Sequence, residues 1–148
     1  QRARTFPCHL EPLERRVMLD STTVFNEIMY NPGSFDGAEN LEFVELYNTG
    51  GGAVDLSDWC FDGIDFCFTP GASIAAGQYL VLSPDAASFQ TTYGFPPDHV
   101  YALELNDNGE RLALLDSGLA VQDEVTLNIV DALKIRLTPA EKQARIAA

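Results

Sequence analysis

The sequence predicts an all-β fold, a two-sheet sandwich with one short connecting helix, on three observations. Short runs of strand-favouring residues recur through the middle of the chain, separated by clusters of Gly, Pro, Asn and Asp. One central run carries bulk on both alternating faces, as a strand covered on two sides must. Between the first and last runs, one stretch alone has helix-start chemistry. At 148 residues the chain has the length of one domain, and its apolar content of 46% is ordinary for a packed core.

Residues 1–23 read as a basic arm, with Arg2, Arg4 and Pro7 ahead of an apolar stripe from Leu13 to Leu19 too short to be a stable helix alone. The chain begins with Gln1 rather than Met and shows no signal-peptide core, so it reads as a fragment or processed product. Val24–Tyr30 is the first expected strand, ended by Asn31-Pro32-Gly33 and a polar loop. The central strand follows, with Phe43, Glu45 and Tyr47 on one face and Val44 and Leu46 on the other. Asn48 and the glycines behind it tolerate positive φ and end the ladder.

Trp59–Phe68 reads as a hairpin around Asp62-Gly63. A four-residue loop over 62–65 sets Phe61 opposite Phe66, Cys60 opposite Cys67 and Trp59 opposite Phe68, with the aromatic rings inward. A two-residue turn would instead put Cys60 opposite Asp65. The longer loop makes Cys60 and Cys67 candidates for a cross-strand disulfide, two reduced cysteines being the alternative.

After the strand Tyr79–Leu82, Ser83 is the expected N-cap, with Pro84 at the first helical position and Asp85 at the positive end. Gly94 and Pro96-Pro97 stop the helix, and Phe89 and Tyr93 share the face that meets the sheet. Val100–Leu105 and Arg111–Leu115 read as strands around a hairpin loop, Asn106–Glu110. The last strand, Leu119–Leu127, puts Leu119, Val121, Asp123, Val125 and Leu127 on one face, so Asp123 is a carboxylate among apolar neighbours. Residues 128–148 form a tail with a short helix opened by Thr138 and Glu141. The domain is therefore expected over 24–127.

Charge is uneven: residues 24–127 hold seventeen acids against one base, Arg111, within a chain of net charge −13. Such a surface repels phosphate backbones, so no nucleic-acid partner is expected. No apolar run is long enough to span a membrane as a helix.

The run Phe25-Asn26-Glu27-Ile28, Glu42-Phe43-Val44-Glu45-Leu46-Tyr47-Asn48, Val54-Asp55-Leu56-Ser57-Asp58-Trp59, Phe66-x-Phe68, Ala76-Gly77-x-Tyr79-Leu80-Val81, Asn108-Gly109-Glu110-x-Leu112 and Val121-x-Asp123-x-Val125 resembles a lamin-tail domain. The resemblance implies an immunoglobulin-like β-sandwich, which the short strands and frequent turns also favour. It further implies an attachment module of the kind found in large exported or surface proteins of bacteria. Leu10-Glu11-Pro12 resembles the Leu-Glu-Pro-Arg sorting segment of exported planctomycete proteins, with Leu13 and Glu14 where the arginine would stand.

No nucleophile motif, phosphate loop or dinucleotide glycine pattern is present, and His9 and His99 with Cys8, Cys60 and Cys67 lack zinc spacing. No enzyme and no cofactor are expected. Glu45 and Asp123, acids among core-facing residues, could form a cation site or an acid/base pair; the competing expectation is that each accepts backbone N–H bonds in a turn. The leading expectation is a non-catalytic interaction module, extracellular or on the cell surface, meeting a protein or cell-envelope partner or another domain of its parent chain. The alternative is a Ca²⁺- or glycan-binding sandwich using acidic loops such as Asn106–Glu110.

Overall fold

The computed structural model describes residues 21–30, 41–102, 105 and 111–127. Its elements, in chain order, are β1 (Thr23–Met29), β2 (Phe43–Asn48), β3 (Val54–Asp55), β4 (Cys60–Asp62), β5 (Ser73–Ile74), β6 (Tyr79–Ser83), helix α1 (Ala86–Tyr93), β7 (His99–Val100), β8 (Arg111–Leu115) and β9 (Val121–Thr126). One sheet has the order β1-β2-β6-β7, a second β4-β8-β9, and β3 pairs with β5 in a small ladder between segments. The result is an immunoglobulin-like β-sandwich with a single short helix among the described residues.

Alternation along β2 decides what each layer does. Val44 and Leu46 face inward and meet Ile28, Leu80 and Leu82 of their own sheet with Phe61, Leu112 and Leu114 of the other. Phe43 faces outward, where Val81 and Phe89 complete a second cluster with Met29, Tyr93 and Phe95 packed on it. The Phe43 ring meets Phe89 at 5.7 Å and Tyr93 at 5.3 Å, both nearly edge-on. Phe89 and Tyr93 thus form the sheet-facing stripe of α1, as their spacing predicts. Each fully buried side chain of this size contributes about 1.5–3 kcal/mol of transfer free energy, so the central strand draws stability from both faces.

The helix starts later than expected. Asp85 is its N-cap, extended at φ −136° and ψ 106°, and its Oδ1 accepts the Ser88 N–H at 2.7 Å. Ser83 is instead the buried last residue of β6, donating its hydroxyl to the Glu42 carbonyl at 3.0 Å. The reason is sheet pairing: Leu82 and Ser83 lie opposite His99 and Val100 of β7, which holds Ser83 extended. Gly94 ends the helix at φ 86°, and its N–H bonds the Gln90 carbonyl.

Two further expectations are corrected. Val100 begins no hairpin with β8: β7 runs parallel to β6, Ala102 bridges Asp65, and β8 pairs with β4 and β9. His99 lies in this strand, its ring centroid 5.4 Å from that of Phe66 and 5.3 Å from that of Phe68. The last strand begins at Val121, because Leu119 sits in a turn at φ 65°. A register shift puts Val121 opposite Leu115 but Asp123 opposite Leu114, so the single apolar face is broken between them. The loop Asn106–Glu110, the sorting-type segment near Leu10 and the tail helix at Thr138 lie outside the described residues.

The Ser88 N–H bond holds the Asp85 carboxyl below its ordinary range. A lowered pKa means that the cap is fully stabilising above the ordinary carboxylate pKa and weakens as pH falls through the lowered value. Asp85→Ala should therefore reduce the melting temperature at neutral pH, with the gap to the parent narrowing as pH falls below the ordinary carboxylate range. A gap of constant size across that range in thermal melts would show that the carboxylate is not the cap.

Candidate functional site

Of the polar groups singled out in the sequence, Glu45 and Asp123 act on β1, and Asn48 acts on the turns that follow β2 and β5. Asn48 closes β2, and its side chain ties three segments together. Its Nδ2 donates to the carbonyls of Gly52 at 2.8 Å, Ile74 at 3.1 Å and Ala75 at 3.2 Å, while its Oδ1 accepts the Gly50 N–H at 2.9 Å. Its backbone bonds Gln78 and Gly77. The residue is fully buried, so its own amide must find its partners within the fold. Gly50 matters for space: a Cβ there would meet Thr22 at 3.0 Å.

Glu45 and Asp123 converge on a bulge in β1. The register slips between Phe25 and Glu27, leaving Asn26 as the extra residue and Glu27 opposite Glu45. From β2, Glu45 Oε1 accepts the Asn26 side-chain amide at 2.6 Å. From β9, in the other sheet, Asp123 Oδ2 accepts the Phe25 N–H at 2.7 Å. Asp123 Oδ1 also accepts the N–H of Glu124 at 2.9 Å. The expected backbone N–H bonds form at Asp123, though not in a turn, and Glu45 departs from the expectation. Asp123 takes a backbone bond, but across the seam between the sheets, and Glu45 bonds a side chain on the neighbouring strand. The two carboxylates thus hold different groups of the same bulge, the Phe25 N–H and the Asn26 amide.

Two more acids escaped the sequence reading. Glu42 is buried, and its Oε2 accepts the Leu105 N–H at 2.9 Å, a contact spanning 63 positions that no local pattern announces. Glu27 is buried at the outer face, where its charge adds to burial in pushing the Tyr93 phenol above its ordinary pKa.

The hairpin forms with the longer loop. Phe61 N–H bonds the Phe66 carbonyl at 3.0 Å and Phe68 N–H bonds the Trp59 carbonyl at 2.8 Å. These bonds flank Cys60 and Cys67, which therefore face one another at a non-hydrogen-bonded position with Cα atoms 4.1 Å apart. The two are joined as a disulfide. Phe61 and Phe68 are buried, Trp59 and Phe66 half-buried against the same core. Nearby, Arg111 donates to Asp62 at 2.7 Å and to Glu124 at 2.6 Å, stapling β4 and β9 across Ala113, which lies opposite both acids and is fully buried.

Among the described residues no group of three or more His, Cys, Asp or Glu side chains is placed to hold a metal ion, and no helix is long and apolar enough to cross a membrane. What remains at the surface is one-signed charge and a few apolar side chains. Tyr79 is 44% exposed and stacked on Tyr47 at 4.5 Å, and Leu119 is 71% exposed in a turn organised by Asp116.

Replacing Asn48 with Asp turns a two-hydrogen donor into a charge aimed at three carbonyls. Urea unfolding should show a loss of about 3–5 kcal/mol for Asn48→Asp, the range for an uncompensated buried charge. Asn48→Ala should lose about 1–3 kcal/mol, and an Asp variant no worse than the Ala variant would contradict this role.

No curated protein matches the chain. The family model for the Lamin Tail Domain matches residues 20–129, which takes in every strand and the helix described above. Domains of this family are non-catalytic, in keeping with a site whose acids hold backbone and amide groups rather than reacting atoms. The chain belongs to the Lamin Tail Domain family.

Proposed function

We propose that this domain is an attachment module of an exported or cell-surface bacterial protein, and that it docks through its acidic exterior on a basic protein or envelope surface. The partner can equally be a basic face of another domain in the same parent chain. The observation that carries this reading is the sign of the surface. Among the described residues six exposed acids, Asp55, Asp58, Asp62, Asp65, Asp98 and Glu124, stand against Arg111, and that arginine is already engaged by Asp62 and Glu124. Such a field steers cationic partners and disfavours nucleic acid and anionic lipid. The disulfide fits an oxidising compartment, where such bridges persist. The Leu10-Glu11-Pro12 segment, in this reading, would address the parent protein for sorting. Tyr79, stacked and half-exposed, supplies an apolar anchor beside the charge.

The purified chain should sediment with isolated planctomycete cell envelopes at low salt and be released at about 0.5 M salt, where screening shortens to a few ångströms. Tyr79→Ala should weaken the association at a temperature where the variant is still fully folded. Sedimentation no greater than that of an unrelated acidic protein of equal net charge would overturn the proposal.

A further inference from the structure

We propose that the Cys60–Cys67 bridge is a thiol–disulfide exchange site that accepts neutral and cationic thiols and discriminates against anionic ones. Access comes first. Cys67 is exposed and Cys60 half-buried, and both project from the hairpin face opposite the buried Phe61 ring. An incoming thiolate therefore reaches Cys67 Sγ without opening the core.

Charge decides which thiolate arrives. Strand alternation puts Asp62 on the face of Cys60 and Asp65 on the face of Cys67, and both acids are exposed. Asp58 is exposed as well, and its carbonyl lies 3.8 Å from Cys60 Sγ. Arg111 offsets Asp62 but is shared with Glu124, so the neighbourhood stays negative. A thiolate is itself an anion; one on a carrier with further negative charge meets added repulsion, and one on an ammonium carrier is attracted.

The step balances as ordinary exchange. The thiolate RS⁻ attacks Cys67 Sγ, the new RS–Sγ bond forms as the Sγ–Sγ bond breaks, and the electron pair leaves on Cys60 Sγ, which takes a proton from water. A second RS⁻ attacks the mixed disulfide, giving RSSR and the Cys67 thiolate. The bridge gains two electrons and the external thiol supplies them.

The test uses the Cys8→Ser chain, which removes shuffling by the third cysteine. Rates of bridge opening are measured by mass spectrometry with cysteamine, 2-mercaptoethanol and glutathione, corrected for thiolate fraction. Each is divided by its rate on bis(2-hydroxyethyl) disulfide, a small neutral reference. At low salt the normalised cysteamine rate should exceed that of glutathione about tenfold, a modest focusing effect. The ratio should fall to about two or less at 1 M KCl, where the Debye length is about 3 Å. Asp58→Asn with Asp65→Asn should lower the low-salt ratio without changing the fold, since Asn tolerates the positive φ of residue 58. The trapped adduct should sit on Cys67. A normalised ratio near one, a ratio unmoved by salt or by the Asn variants, an adduct mainly on Cys60, or no reduction without denaturant would each overturn the proposal.

Discussion

A strand bonded on both edges and covered on both faces has no side left for water, and β2 is such a strand. It pairs with β1 and β6, its Val44 and Leu46 enter the sandwich core, and its Phe43 lies under α1. Glu45 and Asn48 interrupt this apolar environment, and each is fully buried. The chain must therefore bring polar partners to them: the Asn26 amide to Glu45, and the carbonyls of the 50–52 and 74–75 turns to Asn48. Those partners fix the bulge of β1 and the junction with the small ladder. The architecture around β2 is as much a solution to its buried polar groups as to its apolar ones.

This explains what the sequence made legible. Alternation and turn chemistry located β1, β2, β4 and β6, and the opposition of Phe61 with Phe66 carried the cysteine pairing with it. Local chemistry misplaced the helix cap, because Ser83 is as good a cap as Asp85 until β7 holds it in the sheet. The parallel pairing of β7 with β6 was hidden for the same reason: two residues, His99 and Val100, carry no period. β8 takes its neighbours from β9, the next strand in the chain, and from β4 far upstream, and Val100 pairs instead within the other sheet. Asp123 was legible as an anomaly on an apolar face, yet its partner, the Phe25 N–H, is 98 positions away.

The acids fall into two populations with different consequences. Those inside, Glu27, Glu42, Glu45 and the half-buried Asp123, belong to the fold and are tied to it by register and hydrogen bonds. Those outside, among them Asp58, Asp62, Asp65 and Glu124, set the surface field, and the charged edge of the second sheet is held by Arg111 alone among the described basic residues. The interior carboxylates are tied into the fold and the exterior ones set the field, which suits a non-catalytic interaction module of the Lamin Tail Domain family. The disulfide belongs to the exterior population: it lies over a hairpin already closed by its own ladder and aromatic rings.

The double covering of β2 is tested most directly by native-state hydrogen exchange. If both edges and both faces of the strand are engaged, the amides of Val44, Glu45 and Leu46 exchange only when the whole domain unfolds. Their exchange free energies would then equal the unfolding free energy from urea melts to within about 1 kcal/mol. Exchange of these amides through a smaller opening, lower than the global value by about 2 kcal/mol or more, would show that β2 can be exposed on its own and would contradict the account.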